Sequence, residues 1–388
     1  MKVNISEAVK YIGCDDHEID LFESQYIVPN GVSYNSYLIM DEKIALMDTV
    51  DRRATDEWFA NLENKLAGKT PDYLVVHHME PDHAYNVLAV CKKYPEMKIV
   101  SNAKVFQMMP KYFDEDLSDR YVTVKEGDTL ELGSHTLTFV MAPMVHWPEV
   151  MVSYESSEKI LFSADGFGKF GALDYDDPEG WDCEARRYYI NIVGKYGAQV
   201  QSLLKKAATL DIATICPLHG PILTGDLSHY IQQYDTWSSY RPEKKATTIA
   251  YASIHGNTAN AAKKLGEILS AKGEKVKLFD LSRDDMAECI ESCYEYDKLV
   301  LACPTYDGAL FPPMEDLLYH LKIKNFQNRK LAFIENGSWA PMAGKLMKAY
   351  AENYKNCTIV EPVVTITAAL KDSDIPKLEA LADAILAE

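Results

Sequence analysis

"VVHHMEPDHAYN", residues 75–86, places His77, His78, Glu80, Asp82 and His83 within seven positions, directly behind an apolar run. The stretch "DYLVV" reads as a strand ending near His77, and a helix is expected from about Ala84. The polar residues therefore fall on a loop at the carboxyl end of a strand, where clefts of layered α/β proteins open. One such side chain would be an ordinary cap or turn residue. The H-x-E-x-D-H run over 78–83 is different, because three further strand ends carry the same chemistry. His146 follows "TLTFVMAPMV", Asp165 follows "KILFSA" and His219 follows "DIATICPL". Imidazoles and carboxylates delivered together by four strand ends point to a metal site.

Composition bounds the rest. A chain of 388 residues favours two domains. Hydrophobic and charged contents of 47% and 25% are those of a globular protein rather than a disordered one. No apolar run approaches the ~18 residues of a membrane span, and the start lacks an apolar signal core, so a cytoplasmic protein without a membrane partner is expected. A formal charge of −18, with no basic segment, argues against nucleic acid. The cysteines form no C-x-x-C pair, which speaks against zinc ribbons and rubredoxin-type iron sites and for reduced, mostly buried thiols.

Residues 1–245 read as many short strands with a few helices, among them "YNSYLIM", "KIALMDTV" and "VMVSYES", with helical periodicity in "ATDEWFANLENKLAG", "AYNVLAVCKKYP" and "YGAQVQSLLKKAATL". An αββα sandwich is expected there. "YRPEKK", residues 240–245, reads as a linker. Over residues 246–388 strands and helices alternate: "ATTIAYA", "KVKLFDL", "KLVLACP", "KLAFIEN" and "TIVEPVV" each precede a helix. Five such strands describe a small doubly wound parallel sheet.

The H-x-E-x-D-H run with its later His, Asp and His resembles the metallo-β-lactamase superfamily, whose usual form is H-x-H-x-D-H. Glu80 takes the place of the second His. The candidate ligands are His78, Glu80, Asp82, His83, His146, Asp165 and His219. With Asp165 as a bridge, each of two metals receives two imidazoles and a terminal carboxylate, an oxygen-rich set suited to iron or manganese. His77 and His135 fall outside the pattern and are read as structural.

In the second domain "YASIHGNTANAAKKL" puts Ser253, His255, Gly256, Asn257 and Thr258 between the first strand and its helix, where hydroxyls and amides can meet a phosphate. The loop resembles the flavodoxin form [ST]-x-T-G-x-T, with His255 replacing the middle Thr. Two later strand-end loops add Pro304, Thr305, Tyr306, Asp307 and Gly308, then Asn336, Gly337, Ser338 and Trp339. Tyr306 and Trp339 are placed to border an isoalloxazine, so FMN is the expected cofactor.

Taken together, "SYNSYLI", H-x-E-x-D-H, "APMVHWPE", "FSADGFG", "EARRYYINI" and "CPLHGP" resemble motifs of the flavodiiron proteins along essentially the whole chain. The resemblance implies a lactamase-like domain followed by a flavodoxin-like one, FMN, and two irons that reduce O₂ to water, NO to N₂O, or both. One iron would take His78, Glu80 and His146, the other Asp82, His83 and His219, with Asp165 between them. Tyr196 would be a tyrosine beside the irons, and Glu23 stands where many members have a His. No C-x-x-C follows residue 360, so a separate rubredoxin-like electron donor is implied. So is a head-to-tail homodimer or dimer of dimers. The rival reading is a metal-dependent hydrolase of the glyoxalase II type fused to a flavodoxin domain. Glu80 weighs against it.

Overall fold

Short strands of two to six residues, several of them buried on both faces, build the first half of the molecule. In the computed structural model, which describes residues 5–387, two six-stranded sheets form there. The first runs Val9–Tyr11, Tyr37–Ile39, Ala45–Met47, Tyr73–Val75, Lys98–Ser101, Tyr121–Thr123. The second runs Thr129–Glu131, Thr136–Met141, Met151–Glu155, Ile160–Phe162, Thr214–Cys216, Leu223–Thr224. Alternation decides which side chains meet. Tyr37, Ile39, Ala45, Met47, Val75 and Val100 of one sheet share a core with Leu137, Phe139, Met151, Ile160 and Phe162 of the other. Leu38 and Leu46 point to the opposite face and are buried as well. Amphipathic helices supply cover: Thr55–Leu66 buries Trp58, Leu62 and Leu66 at four-residue spacing. The expected αββα sandwich is the observed one.

The second half is an α/β sheet in the order Val276–Asp280, Lys244–Tyr251, Tyr296–Tyr306, Lys330–Asn336, Thr358–Ile359, with every pair along this path parallel. The order is 2-1-3-4-5, so the chain reverses direction between Lys244–Tyr251 and Tyr296–Tyr306, and the carboxyl ends of those strands leave a crevice. The stretch expected as one last strand, "TIVEPVV", is two: Thr358–Ile359 and Val364–Ile366 both pair with Lys330–Asn336. Pro362 has no N–H to give the ladder, and the strand breaks around it.

Packing divides the chain differently from a single cut at 245/246. One compact unit holds residues up to Tyr189 and Tyr196–Asp235; the other holds Ile190–Lys195 and the chain from Thr236 onward. Hydrogen bonds explain the exchange. Lys324 Nζ donates to the Asn191 carbonyl at 2.6 Å, Tyr240 Oη donates to Gly194 O at 2.9 Å, and Arg329 donates to Tyr240 O at 2.8 Å. Buried cations that find carbonyls in 190–195 and at 240 tie both segments to the sheet of the second unit. Among the described residues no helix is long and apolar enough to cross a membrane.

Trp58 is fully buried under the first sheet. Trp58→Ala should cost about 3–5 kcal/mol through lost burial and the cavity left behind. Chemical denaturation followed by far-UV circular dichroism should show an earlier transition for the first unit with the second unmoved.

Candidate metal centre and ligand cleft

Each chemical group at the end of the sandwich arrives on a loop that the sheets hold in place. The strand Tyr73–Val75 ends at His77, whose ring is gripped between Asp48, through Nδ1, and Ser153 Oγ, 2.7 Å from Nε2. His77 is thereby structural, and it anchors the loop from which His78, Glu80, Asp82 and His83 project. His135 is likewise held by Asp41, at 2.7 Å, away from the cluster.

The seven candidate ligands converge as two halves. In one, His146 Nε2 lies 2.9 Å from Glu80 Oε2 and 3.0 Å from Asp165 Oδ2, and His78 Nε2 is 3.2 Å from the same Asp165 oxygen. In the other, His83 Nε2 and His219 Nε2 are 2.9 Å apart, Asp82 Oδ2 is 3.2 Å from His219 and 3.5 Å from His83, and Asp165 Oδ1 is 3.7 Å from His83. Asp165 thus gives one oxygen to each half. His78, His83, Asp165 and His219 are buried, while Glu80 and Asp82 keep 14% and 13% of their side chains exposed. Solvent therefore meets the cluster at those two carboxylates.

The donor set fits a pair of cations. His78 Nδ1 and Nε2, Asp82 Oδ1, His83 Nδ1 and Asp165 Oδ1 are buried without a hydrogen-bond partner, a debt that buried polar atoms rarely carry in such a group. Electrostatics agree. Burial and the neighbouring His219 push His83 down to about 3, so it is a neutral imidazole with a lone pair to give. Burial would lower His146 too, but Asp165 and Glu80 raise it to about 10, because it is the nearest available counter-charge. His219 is oriented from behind: Nδ1 donates to Ser33 O at 2.8 Å, which leaves the Nε2 lone pair facing the cluster. Ser33 Oγ accepts from Gly220 N at 2.7 Å, and Asn35 Nδ2 donates to Pro217 O and Gly220 O at 2.9 and 2.8 Å. Gly220 needs its positive φ of 78°, and a Cβ there would meet Lys169 at 2.8 Å.

The tyrosine against the cluster is Tyr188, not Tyr196. The Tyr188 ring lies 5.6 Å from His219, and its buried hydroxyl has no hydrogen-bond partner. Tyr196 is half-buried at the N-cap of helix Gly197–Ala207. Helical spacing explains the difference, since Tyr188 lies on the buried side of Asp182–Tyr188 and the helix changes type before Tyr196. Phe22 packs edge-on to His219 at 5.3 Å. It heads a hairpin, Leu21–Phe22 with Tyr26–Ile27, whose turn carries Glu23 at φ 49°. Withdrawal of the Glu23 carboxyl from water, reinforced by Glu80, raises it to about 7.

Sequence reading missed Glu149. It is 2% exposed, and its Oε1 accepts from Met79 N, between two candidate ligands, at 2.9 Å. Its place three residues beyond His146 in "APMVHWPE" was the available signal.

In the second unit a cleft of about 750 Å³ opens at the crevice between the first and third strands. Ser253, His255, Asn257, Thr258, Pro304, Thr305, Tyr306, Asp307, Gly308, Asn336, Gly337, Ser338 and Trp339 all line it. Gly256 does not line it; its φ of 86° forms the N-cap that turns the loop into helix Asn257–Ala271. Ser253 Oγ accepts from Gly256 N and Ala259 N at 3.1 and 3.2 Å, and Thr305 Oγ1 accepts from Met342 N at 2.8 Å. Trp339 is 82% exposed at the rim. Ile254, Ala340, Met342 and Ala368 also line the cleft; being apolar or small, they carried no sequence signal.

Comparison with known proteins gives each half of the chain a family. Residues 32–220 match the ODP family beta lactamase domain and residues 249–356 the flavodoxin domain. A nitric oxide reductase of Moorella thermoacetica is 31% identical over 386 residues, covering 97% of this chain and 96% of that protein. The chain belongs to the flavodiiron protein family. Rubredoxin oxygen:oxidoreductase from the anaerobe Desulfovibrio gigas superposes with a TM-score of 0.93 at 26% identity, over 99% of this chain and 97% of its own. The flavodiiron protein from Giardia intestinalis shares the fold with a TM-score of 0.93 at 24% identity, over 98% and 96%. As a flavodiiron protein, this chain is an oxidoreductase.

Glu149 should tolerate Gln, which keeps an acceptor for the Met79 amide, far better than Ala. Glu149→Ala should lower metal retention after dialysis against a chelator by on the order of tenfold, the effect known for groups that orient ligands. Metal analysis of both variants checks this.

Proposed function

We infer that this flavodiiron protein reduces O₂ to water, NO to N₂O, or both, with electrons delivered through FMN. The observation that supports this most is the pair of His/carboxylate half-sites sharing Asp165, in which Glu80 stands in place of an imidazole. His78, Glu80 and His146 would hold one iron, Asp82, His83 and His219 the other, and Asp165 both. When bound, the irons would supply open positions for a diatomic, and the flavin would take electrons singly from a carrier and pass them on. The chain's own groups do the rest. Ser33 and Asn35 keep His219 aimed, and Glu149 fixes the loop between His78 and Glu80. Phe22 and Tyr188 wall the His219 side with apolar surface that a neutral diatomic crosses readily. The reactions consume protons, and two groups are placed to hold them: Tyr188 Oη on the His219 side and the Glu23 carboxyl, raised to about 7, near Glu80.

Removing the shared carboxylate tests the reading. Asp165→Ala should reduce iron from about two per chain to one or none and abolish gas reduction, while FMN content stays at the wild-type level. Zinc as the dominant metal in protein from iron-replete cells would support the hydrolase reading instead.

The electron donor in this reading is a rubredoxin-like protein, and the assembly is a head-to-tail homodimer or a dimer of dimers in which one chain's FMN faces its partner's irons. Exposed apolar groups at both sites support association: Trp339 and Tyr306 at the cleft, Leu21 and Ile27 on the hairpin beside the irons. Buried thiols at Cys14, Cys91, Cys216, Cys289, Cys293 and Cys303 suit the cytoplasm. Subunit exchange between an Asp165→Ala chain and an Asn257→Ala/Thr258→Ala chain should recover about a quarter of normal activity from two inactive parents. A mixture as inactive as its parents would show that the cofactors couple within one chain.

A further inference from the structure

The phosphate loop of the second unit departs from its usual pattern at one position, and the departure is chemical. Ser253, His255, Asn257 and Thr258 line the cleft together, so the imidazole occupies the place of a hydroxyl beside the N-terminus of helix Asn257–Ala271. His255 is exposed to solvent, and the first turn of that helix carries no acidic residue. Among the residues lining the cleft the titratable ones are His255, Tyr306 and Asp307, with no Lys or Arg. His255 is therefore the one lining group able to carry a positive charge. Lys263 and Lys264 lie on the same helix but beyond its first turn.

We propose that His255 is a specificity residue for the flavin's phosphate and makes FMN binding depend on pH through an imidazolium–phosphate pair. The inference rests on the FMN reading of the cleft. A phosphate dianion at a helix N-terminus is met there by backbone amides and hydroxyls, which do not titrate. An imidazolium adds a charge-assisted hydrogen bond, roughly twice as strong as a neutral one. The sign follows from linkage. Bound phosphate favours the protonated ring, so binding takes up a proton. The added affinity is complete at low pH and is lost as pH rises through the range where the ring of the complex deprotonates. Replacing His255 leaves Tyr306 and Asp307 in place, so neither can produce a difference between wild type and the His255 variants.

The test uses full-length protein stripped of FMN and titrated with FMN by flavin fluorescence quenching at constant ionic strength between pH 7.0 and pH 8.5, in roughly the range where the phosphate is already largely dianionic. Wild type, His255→Thr and His255→Gln are compared, with riboflavin, the same ring without phosphate, run in parallel. The wild-type Kd for FMN should rise by on the order of fivefold to tenfold across this range. His255→Thr and His255→Gln should show a nearly flat profile, as should riboflavin with all three proteins. Parallel FMN profiles in wild type and both variants would overturn the proposal, as would a riboflavin profile as steep as that of FMN. Wild-type protein that binds no FMN at any pH would instead sink the reading of the cleft, and the pH linkage with it.

Discussion

Asp165 is the constraint on which the metal centre depends. Its two oxygens reach both halves, one near His78 and His146, the other near His83. Burial of a carboxylate is costly unless positive charge meets it, and here His78 and His146 do so. The surrounding imidazoles hold Asp165 well below the usual carboxylate range despite its burial, so it stays ionised. An ionised, buried bridge can be kept only where the backbone leaves no freedom. Asp165 sits just past the end of strand Ile160–Phe162, whose partner Thr214–Cys216 leads straight to His219. The parallel pairing of these two strands, in a sheet otherwise antiparallel, is what brings Asp165 and His219 to the same edge.

The flavin cleft follows a different logic. Nothing in it is as buried or as charged as the metal cluster. Its position comes from topology: the reversal of strand order between Lys244–Tyr251 and Tyr296–Tyr306 opens a crevice, and three loops close around it. The hydroxyls of Ser253 and Thr305 accept from backbone amides and so shape these loops. A site assembled this way tolerates a single unusual side chain, and His255 is one.

What was legible in the sequence was chemistry at strand ends. His78, Glu80, Asp82, His83, His146, Asp165 and His219 could be singled out because each follows an apolar run, and a two-residue alternation shows where that run stops. The polar loop after strand Lys244–Tyr251 was legible for the same reason, and its Ser253, His255, Asn257 and Thr258 line the cleft. Tyr188 and Tyr196 were confused because "EARRYYINIVGKY" offers three tyrosines, and only the three-dimensional path decides which faces His219. That path passes through a π-helical stretch, Tyr189–Val193, which breaks the regular helical phase and which no periodicity argument anticipates. Glu149 was missed because a glutamate after "HWP" looks like a turn residue until its carboxylate is seen on the Met79 amide. The residues 190–195 were assigned to the first half because their partners, Lys324 and Tyr240, are distant in sequence.

Glu23 shows how far the metal centre's charge extends. Glu80, Asp82 and Asp165 already place three carboxylates in one cluster, and Glu23 brings a fourth to its edge. Burial, reinforced by the like charges of Glu80 and Asp82, disfavours its ionisation, and the carboxyl rises to about 7. Cations at the centre would offset only the smaller, electrostatic share of that rise, and the share due to burial would remain. A histidine at the same position would respond in the opposite sense, since carboxylates favour its charged form and cations oppose it. Because Glu23 sits on a solvent-facing turn, screening limits the size of the effect but not its direction.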